Sequence, residues 1–193
     1  EPDHFEQLGY LSSERLALIY KTLNWNYKQM FGLNIVVPFS INNILDSRIV
    51  LNGYNNLSKC NDFYDLSFKR DKWTLYSRLD NTINISSNPN IKLELAAMYM
   101  TPSIQGVYDL GRVWSLDAGL KWKFAKDKAE ILVKGTDLFN SAMPDVKTRY
   151  KSQYMDMLLM PDSRTLTVSF RYKFGGYKEK KFKEVDTSRF GQK

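Results

Sequence analysis

The chain has 193 residues, of which 25% are charged, 43% hydrophobic and 14% aromatic, and its net charge is +7. This composition excludes a disordered chain and allows one ordinary domain with a sizeable core. The basic balance would suit nucleic acid, but Lys178, Lys180, Lys181, Lys183, Arg189 and Lys193 crowd the end of the chain beside Glu179, Glu184 and Asp186. Elsewhere the basic residues are dispersed rather than grouped near stacking aromatics, so no nucleic-acid partner is expected.

Cys60 is the only cysteine, which excludes an internal disulfide framework. No stretch approaches the roughly 18 apolar residues of a membrane helix. Glu1 opens the sequence with neither Met nor a signal peptide, as expected of a processed chain or of a piece of a longer protein.

Residues 1–12 read as a chain start or loop. "ERLALIYKTLNW" (14–25) fits a helix or a strand. "FGLNIVVPFSI" then sets Phe31, Leu33, Ile35, Val37, Phe39 and Ile41 against Gly32, Asn34, Pro38 and Ser40, with Val36 the exception. "SRIVLNGYNN" (47–56) is a strand with an imperfect face. "KWTLYSRLDNTINI" sets Trp73, Leu75, Leu79, Ile83 and Ile85 against Thr74, Tyr76, Arg78, Asp80, Thr82 and Asn84, with Ser77 and Asn81 as polar interruptions of the apolar side.

"IKLELAAMY" sets Ile91, Leu93, Leu95, Ala97 and Tyr99 against Lys92, Glu94 and Ala96. "WSLDAGLKWKF" sets Trp114, Leu116, Ala118, Leu120, Trp122 and Phe124 against Ser115, Asp117, Gly119, Lys121 and Lys123. "EILVKGTDLF" (130–139) loses register near Gly135. "RTLTVSFRYKF" sets Leu166, Val168, Phe170, Tyr172 and Phe174 against Thr165, Thr167, Ser169, Arg171 and Lys173. A period of two sustained over such lengths means strands with two different faces. This gives about eight strands in residues 13–174, followed by a basic tail at 175–193. Short turns ("INNILDS", "SSNPN", "AKDKA") alternate with long links, as in an up-and-down meander with one short-turn rim and one long-loop rim.

Alternation alone fits either a soluble barrel with its apolar face inward or a membrane barrel with that face outward. Three features favour the second. The longest strands reach the roughly 9–11 residues that cross a bilayer when tilted. Phe39, Trp122, Phe124, Tyr172 and Phe174 stand at strand ends, the level of an aromatic girdle. The rims are asymmetric. On this reading Trp114, Leu116, Leu120, Trp122, Phe124, Leu166, Val168, Phe170, Tyr172 and Phe174 face lipid. Arg78, Asp80, Lys92, Glu94, Asp117, Lys121, Arg171 and Lys173 face the lumen.

"KGTDLFNSAMP" resembles the penultimate-strand motif of TonB-dependent outer-membrane receptors. "LELAAMYMTPSIQGVYDLGRVWSLDAGLKWKF" is similar to the related outer-membrane β-barrel family, and "TLTVSFRYKFGG" resembles its closing strand, with Phe174 as terminal aromatic. The resemblance implies an all-β, antiparallel transmembrane barrel of about 22 strands, of which this chain supplies the C-terminal third. It also implies an N-terminal plug, nutrient import driven through TonB, and a place in the outer membrane of a Gram-negative bacterium. Plug and TonB-contact segments are missing from this sequence. The tail at 175–193 would hang in the periplasm. A barrel closed by this chain alone, a non-transporting structural or assembly barrel, and a soluble ligand-binding barrel stay open as rivals.

No enzyme is expected. His4 is the only histidine and precedes the first strand, and a hydrolase would need it held beside a nucleophile. Neither Asp62/Asp65 nor Asp127/Glu130 has metal-ligand spacing, no phosphate-binding glycine loop occurs, and no cofactor is implied. The apolar run Met155, Met157, Leu158, Leu159 and Met160 inside a long loop is a candidate contact for a ligand, a plug or a surface lipoprotein, because Met-rich surfaces adapt to partners.

Overall fold

The computed structural model describes residues 4–12, 14, 17–61, 67–150, 153–158 and 162–174. Every regular element among them is a strand: β1 (His4–Leu11), β2 (Leu18–Trp25), β3 (Tyr27–Ile41), β4 (Leu45–Cys60), β5 (Phe68–Ser87), β6 (Asn90–Met100), β7 (Ser103–Gln105), β8 (Tyr108–Leu110), β9 (Val113–Phe124), β10 (Ala129–Thr136), β11 (Val146–Tyr150), β12 (Gln153–Met157) and β13 (Thr165–Tyr172). Seven of them form one antiparallel sheet in the order β13-β10-β9-β6-β5-β4-β3, a meander in chain order. Five of them are the strands of clear alternation in the sequence, and β4 and β10 are two of its weakly patterned stretches. The 14–25 segment, ambiguous by pattern, is strand from Leu18, and it pairs with β1 rather than joining the large sheet. Residues 1–12, read as a start or loop, thus include a strand.

Short turns join the strands at one rim: 42–44 between β3 and β4, Asn88–Pro89 between β5 and β6, and 125–128 between β9 and β10. Ala125, Lys126 and Asp127 all take left-handed φ values (52°, 57° and 62°), which side chains with a Cβ adopt at a cost. Gly32 is required for space rather than for conformation. A Cβ there would lie 2.5 Å from the Gly53 carbonyl oxygen and 2.7 Å from Cβ of Tyr54, its partner across the ladder.

The other rim is not the irregular one that the sequence suggests. The long links fold into a second sheet, in the order β12-β11-β8-β7. That sheet lies against the tips of β4 and β5, and burial alternates there: Ser58, Cys60, Phe68 and Thr74 are buried, whereas Lys59, Lys69, Asp71 and Trp73 are exposed. The covered residues lie on the same side of the large sheet as Arg78 and Asp80, two residues apart along each strand. Asn56 donates to the Ile104 carbonyl at 3.0 Å, and Thr74 donates to that of Pro102. The Arg70 guanidinium pairs with Asp109 at 2.5 Å. Trp25, Cys60, Phe68, Val107, Tyr108 and Val146 form the shared core, with Tyr10, Leu110, Met155 and Met157 packed around it. Trp25 meets Phe68 edge-on at 5.5 Å. The small sheet therefore roofs the charged side of the large one.

After β10 the chain turns at Asp137 and Asn140, both with positive φ. The buried Asp137 carboxylate accepts from the Ser141 and Ala142 amides at 3.0 Å each and from the Ser163 hydroxyl. Its own amide donates to Asp117 Oδ1 at 2.9 Å. Leu138 N donates to the Leu116 carbonyl and Trp114 N to that of Ser141. One side chain thus ties the exit of β10 and the approach to β13 together, beside β9. Burial would push the Asp137 carboxyl up, but the bonds from Ser163, Ser141 and Ala142 outweigh it and hold it below the usual carboxylate range.

Two outcomes follow from these contacts. Gly32→Val should lower the stability of the refolded barrel by about 1–3 kcal/mol, the usual cost of overpacking against backbone, read as a lower denaturant midpoint. Asp137→Ala should cost at least about 2 kcal/mol, because several bonds to a charged acceptor vanish. The Asp137 contribution should be complete above about pH 4, where an unfolded carboxyl is ionised. It should fade as pH falls below that, through the lowered folded value, so protease cleavage within 137–163 should rise only in acid.

Candidate transmembrane surface and interior face

Register carries the two faces across the whole large sheet. Ile49, Leu79, Ala97 and Leu116 form one cross-strand row, and Leu45, Ile83, Leu93, Leu120, Val133 and Val168 form another. Ile91, Trp122, Ile131 and Phe170 form a third. A one-residue slip between any two strands would move a whole strand to the wrong face, yet only one irregularity is present, between Asn84 and Ser86 near the β5–β6 turn. The resulting apolar surface is bare. Leu33 is 66% exposed, Trp73 62% and Val168 67%, far more contiguous apolar area than a soluble monomer shows water.

Trp114, Leu116, Leu120, Trp122, Phe124, Leu166, Val168, Phe170 and Tyr172 all lie on this face, and Phe174, just past β13, meets Tyr172 edge-on at 4.7 Å. From Trp114 to Phe124 is ten residue steps, about 33 Å of strand at about 3.3 Å each. Tilted by about 40°, that covers about 25 Å of height, the width of a membrane barrel's apolar band. Phe39, Trp122, Phe124 and Tyr172 mark its short-turn edge. A second aromatic level, not recognised in the sequence, marks the other edge. There Phe31 meets Trp73 at 5.2 Å, Trp114 meets Phe139 at 5.4 Å, and Tyr99 pairs across from Trp114. The signal was available, since Phe31, Trp73 and Trp114 are the first in-phase residues of their alternating stretches and Tyr99 is the last of its own.

The polar interruptions of the apolar face are satisfied within it. Ser47 donates to Asn81 Oδ1 at 2.6 Å across the β4–β5 ladder, and Ser77 donates to the Tyr99 carbonyl at 3.2 Å.

The opposite face carries Arg78, Asp80, Lys92, Glu94, Asp117, Lys121 and Arg171, with Lys173 just beyond the end of β13. The structure links several of them. Asp80 receives Arg48 at 2.9 Å and Arg78 at 2.8 Å; Glu94 receives Lys121; Asp117 lies 3.7 Å from Lys134. Arg48 and Lys134 complete this ladder, and the sequence reading missed both because their strands were the weakly patterned ones. Arg48, Arg78, Asp80, Glu94, Asp117 and Lys134 surround an open depression of about 260 Å³. Lys92, Lys123 and Arg171 lie nearer the short-turn rim.

Met155 and Met157 pack on the roof core, and Leu158 is 66% exposed. Leu159, Met160, Asp62, Asp65 and the tail at 175–193 lie outside the described residues. Among the described residues no group of three His, Cys, Asp or Glu side chains could hold a metal.

Residues 7–172 match the model of an outer membrane protein beta-barrel family. No curated protein and no solved structure matches. A match over that much of the chain, on a fold of antiparallel strands with a bilayer-wide apolar face, means that this chain belongs to the outer membrane protein β-barrel family and resides in the outer membrane of a Gram-negative bacterium.

Proposed function

We propose that the chain forms the C-terminal strands of a TonB-dependent receptor-type transporter, with its apolar face against acyl chains and its charged face lining a lumen filled by a plug. The observation that carries this reading is the charge ladder. Arg48, Arg78, Asp80, Glu94, Lys121, Asp117 and Lys134 lie on one face of a sheet whose other face is a hydrocarbon-width apolar band. So many ions do not pack into a dry core, so this side faces water or another polar body. β3 and β13 stand at opposite edges of the seven-stranded sheet, which suits a wide cylinder completed by further strands and roomy enough for a polar domain. The Asp137 turn adds support, because it is the folded form of the "TDLFN" stretch that resembles the receptor motif. Nutrient import, energised through TonB and assisted by a surface lipoprotein, is the activity that this resemblance implies.

Two experiments test the reading. Leu120→Arg in the full-length protein should destabilise folding into lipid vesicles by about 2–4 kcal/mol, the cost of an arginine near mid-bilayer. Lys121→Leu, one residue along, should cost far less. Equal or reversed effects would overturn the face assignment. For transport, a strain lacking the full-length protein and a strain lacking TonB should lose growth on the same limiting nutrient. Unimpaired growth on every nutrient tested, with a weakened envelope, would instead make the protein a structural barrel.

A further inference from the structure

We propose that the β1–β2 hairpin is a strap that fastens the loop roof over the interior face, that Tyr108 and Gln153 are its buckle, and that unbuckling is the first step in opening the outer mouth. This rests on the reading above that the charged side of the sheet is the lumen.

The roof sheet ends at β12, an edge strand whose far side carries no main-chain ladder among the described residues. β1 runs beside that edge but belongs to a separate two-stranded sheet. Two roof side chains reach it, Gln153 from β12 itself and Tyr108 from β8, two strands further in. The Tyr108 hydroxyl accepts from Gly9 N at 2.9 Å and donates to Gly9 O at 2.6 Å. The Gln153 amide accepts from Leu11 N at 2.7 Å and donates to Leu11 O at 3.2 Å. Each serves both backbone groups of its partner, as a neighbouring strand would. Gly9 is needed there, since a Cβ would lie 2.8 Å from the Tyr108 hydroxyl and 3.0 Å from the Tyr20 ring.

The other end of the hairpin is anchored. Trp25 is buried against Phe68, and Asn61 N donates to Asn26 Oδ1 at 2.6 Å. Beside the anchor, the strap covers Cys60, whose thiol donates to the Asn24 carbonyl at 3.8 Å and which is fully buried, so that labelling it requires the strap to lift along its whole length. A two-stranded ribbon is marginally stable alone. Freed from its buckle, it opens as a local unit while the ladders of the large sheet stay intact. Thr101–Pro102, Gly111–Arg112 and 137–145 are non-strand links between roof and barrel, so the roof is held over the sheet by loops, by its core and by this strap.

Cys60 is a reporter already in place. In isolated outer membranes holding the full-length protein, maleimide labelling of Cys60, read by peptide mass, should be slow. In the Tyr108→Phe/Gln153→Ala double variant it should be at least about tenfold faster, because four backbone-directed hydrogen bonds are lost, while unheated barrels still migrate as folded in SDS. Folded double variants that label at the wild-type rate would overturn the strap. Should the variant fail to fold, hydrogen exchange on the wild-type protein decides: Gly9 and Leu11 amides should exchange well ahead of the β4–β5 ladder, and equal protection would overturn the proposal. Neither readout depends on whether the charged face is wet, so a failure here is distinct from a failure of the Leu120→Arg test.

Discussion

A peptide group in hydrocarbon has no water to bond, so a chain that crosses a bilayer as strands must satisfy every backbone donor and acceptor sideways. That constraint fixes register here, and register fixes everything else. Because side chains alternate strictly, seven strands held in step must present two complete surfaces. Trp114 faces as it does because its own ladder to β6 sets it opposite Tyr99, and so on from Phe31 on β3 to Phe170 on β13. The single irregularity near Asn84 falls beside a turn, where one extra residue disturbs least.

The charged face answers the same constraint differently. Its ions are arranged so that most have a partner one strand away: Asp80 sits between Arg48 and Arg78, Glu94 takes Lys121, and Asp117 faces Lys134. Each exposed pair is worth little alone. Their use is to leave the wall polar without leaving isolated charges in a low-dielectric setting. Asp117 has a second task, since its other oxygen holds the Asp137 amide, so the ladder on the wall and the turn at the rim share one carboxylate.

How much of this was legible follows from which forces act locally. Five of the seven strands were clearly readable because a membrane strand is patterned along its length, as Trp114–Phe124 and Thr165–Tyr172 are, whereas β4 and β10 were legible only as weaker candidates. The short turns were readable from their Asn, Asp and Pro. The roof was not. β7 and β8 have three residues each, too few to establish a period, and the pairing of β8 with β11 spans a long stretch of sequence. Asp137 stands out in the sequence only as part of the receptor-like "TDLF" motif, in a stretch that reads as strand, and its structural task exists only once Ser141, Ala142 and Ser163 converge on it. Met155 and Met157 look like a free apolar surface in the sequence because the core that absorbs them comes from Trp25, Phe68 and Val107, residues far away along the chain.

The roof and the band beneath it are held by unlike means, and that contrast locates the movable part of the molecule. Below, each strand is bound on both sides by continuous ladders, except at the sheet edges, and a lost hydrogen bond has no solvent substitute. Above, small sheets meet through a shared core and a few side-chain bonds rather than through continuous ladders, and an amide released there can be rehydrated. The strap is the extreme case: besides the packing of Tyr10 and Trp25 on the roof core, a phenol and a carboxamide join it to the roof by reading two backbone positions. Burial pushes the Tyr108 phenol up, so it stays a donor to Gly9 further into alkali than an exposed phenol would. Such a junction is specific enough to hold one register and weak enough to release without disturbing the membrane-spanning sheet. On the proposed reading, in which the outer mouth opens while the barrel stays sealed against lipid, that division of stability is what the strap supplies.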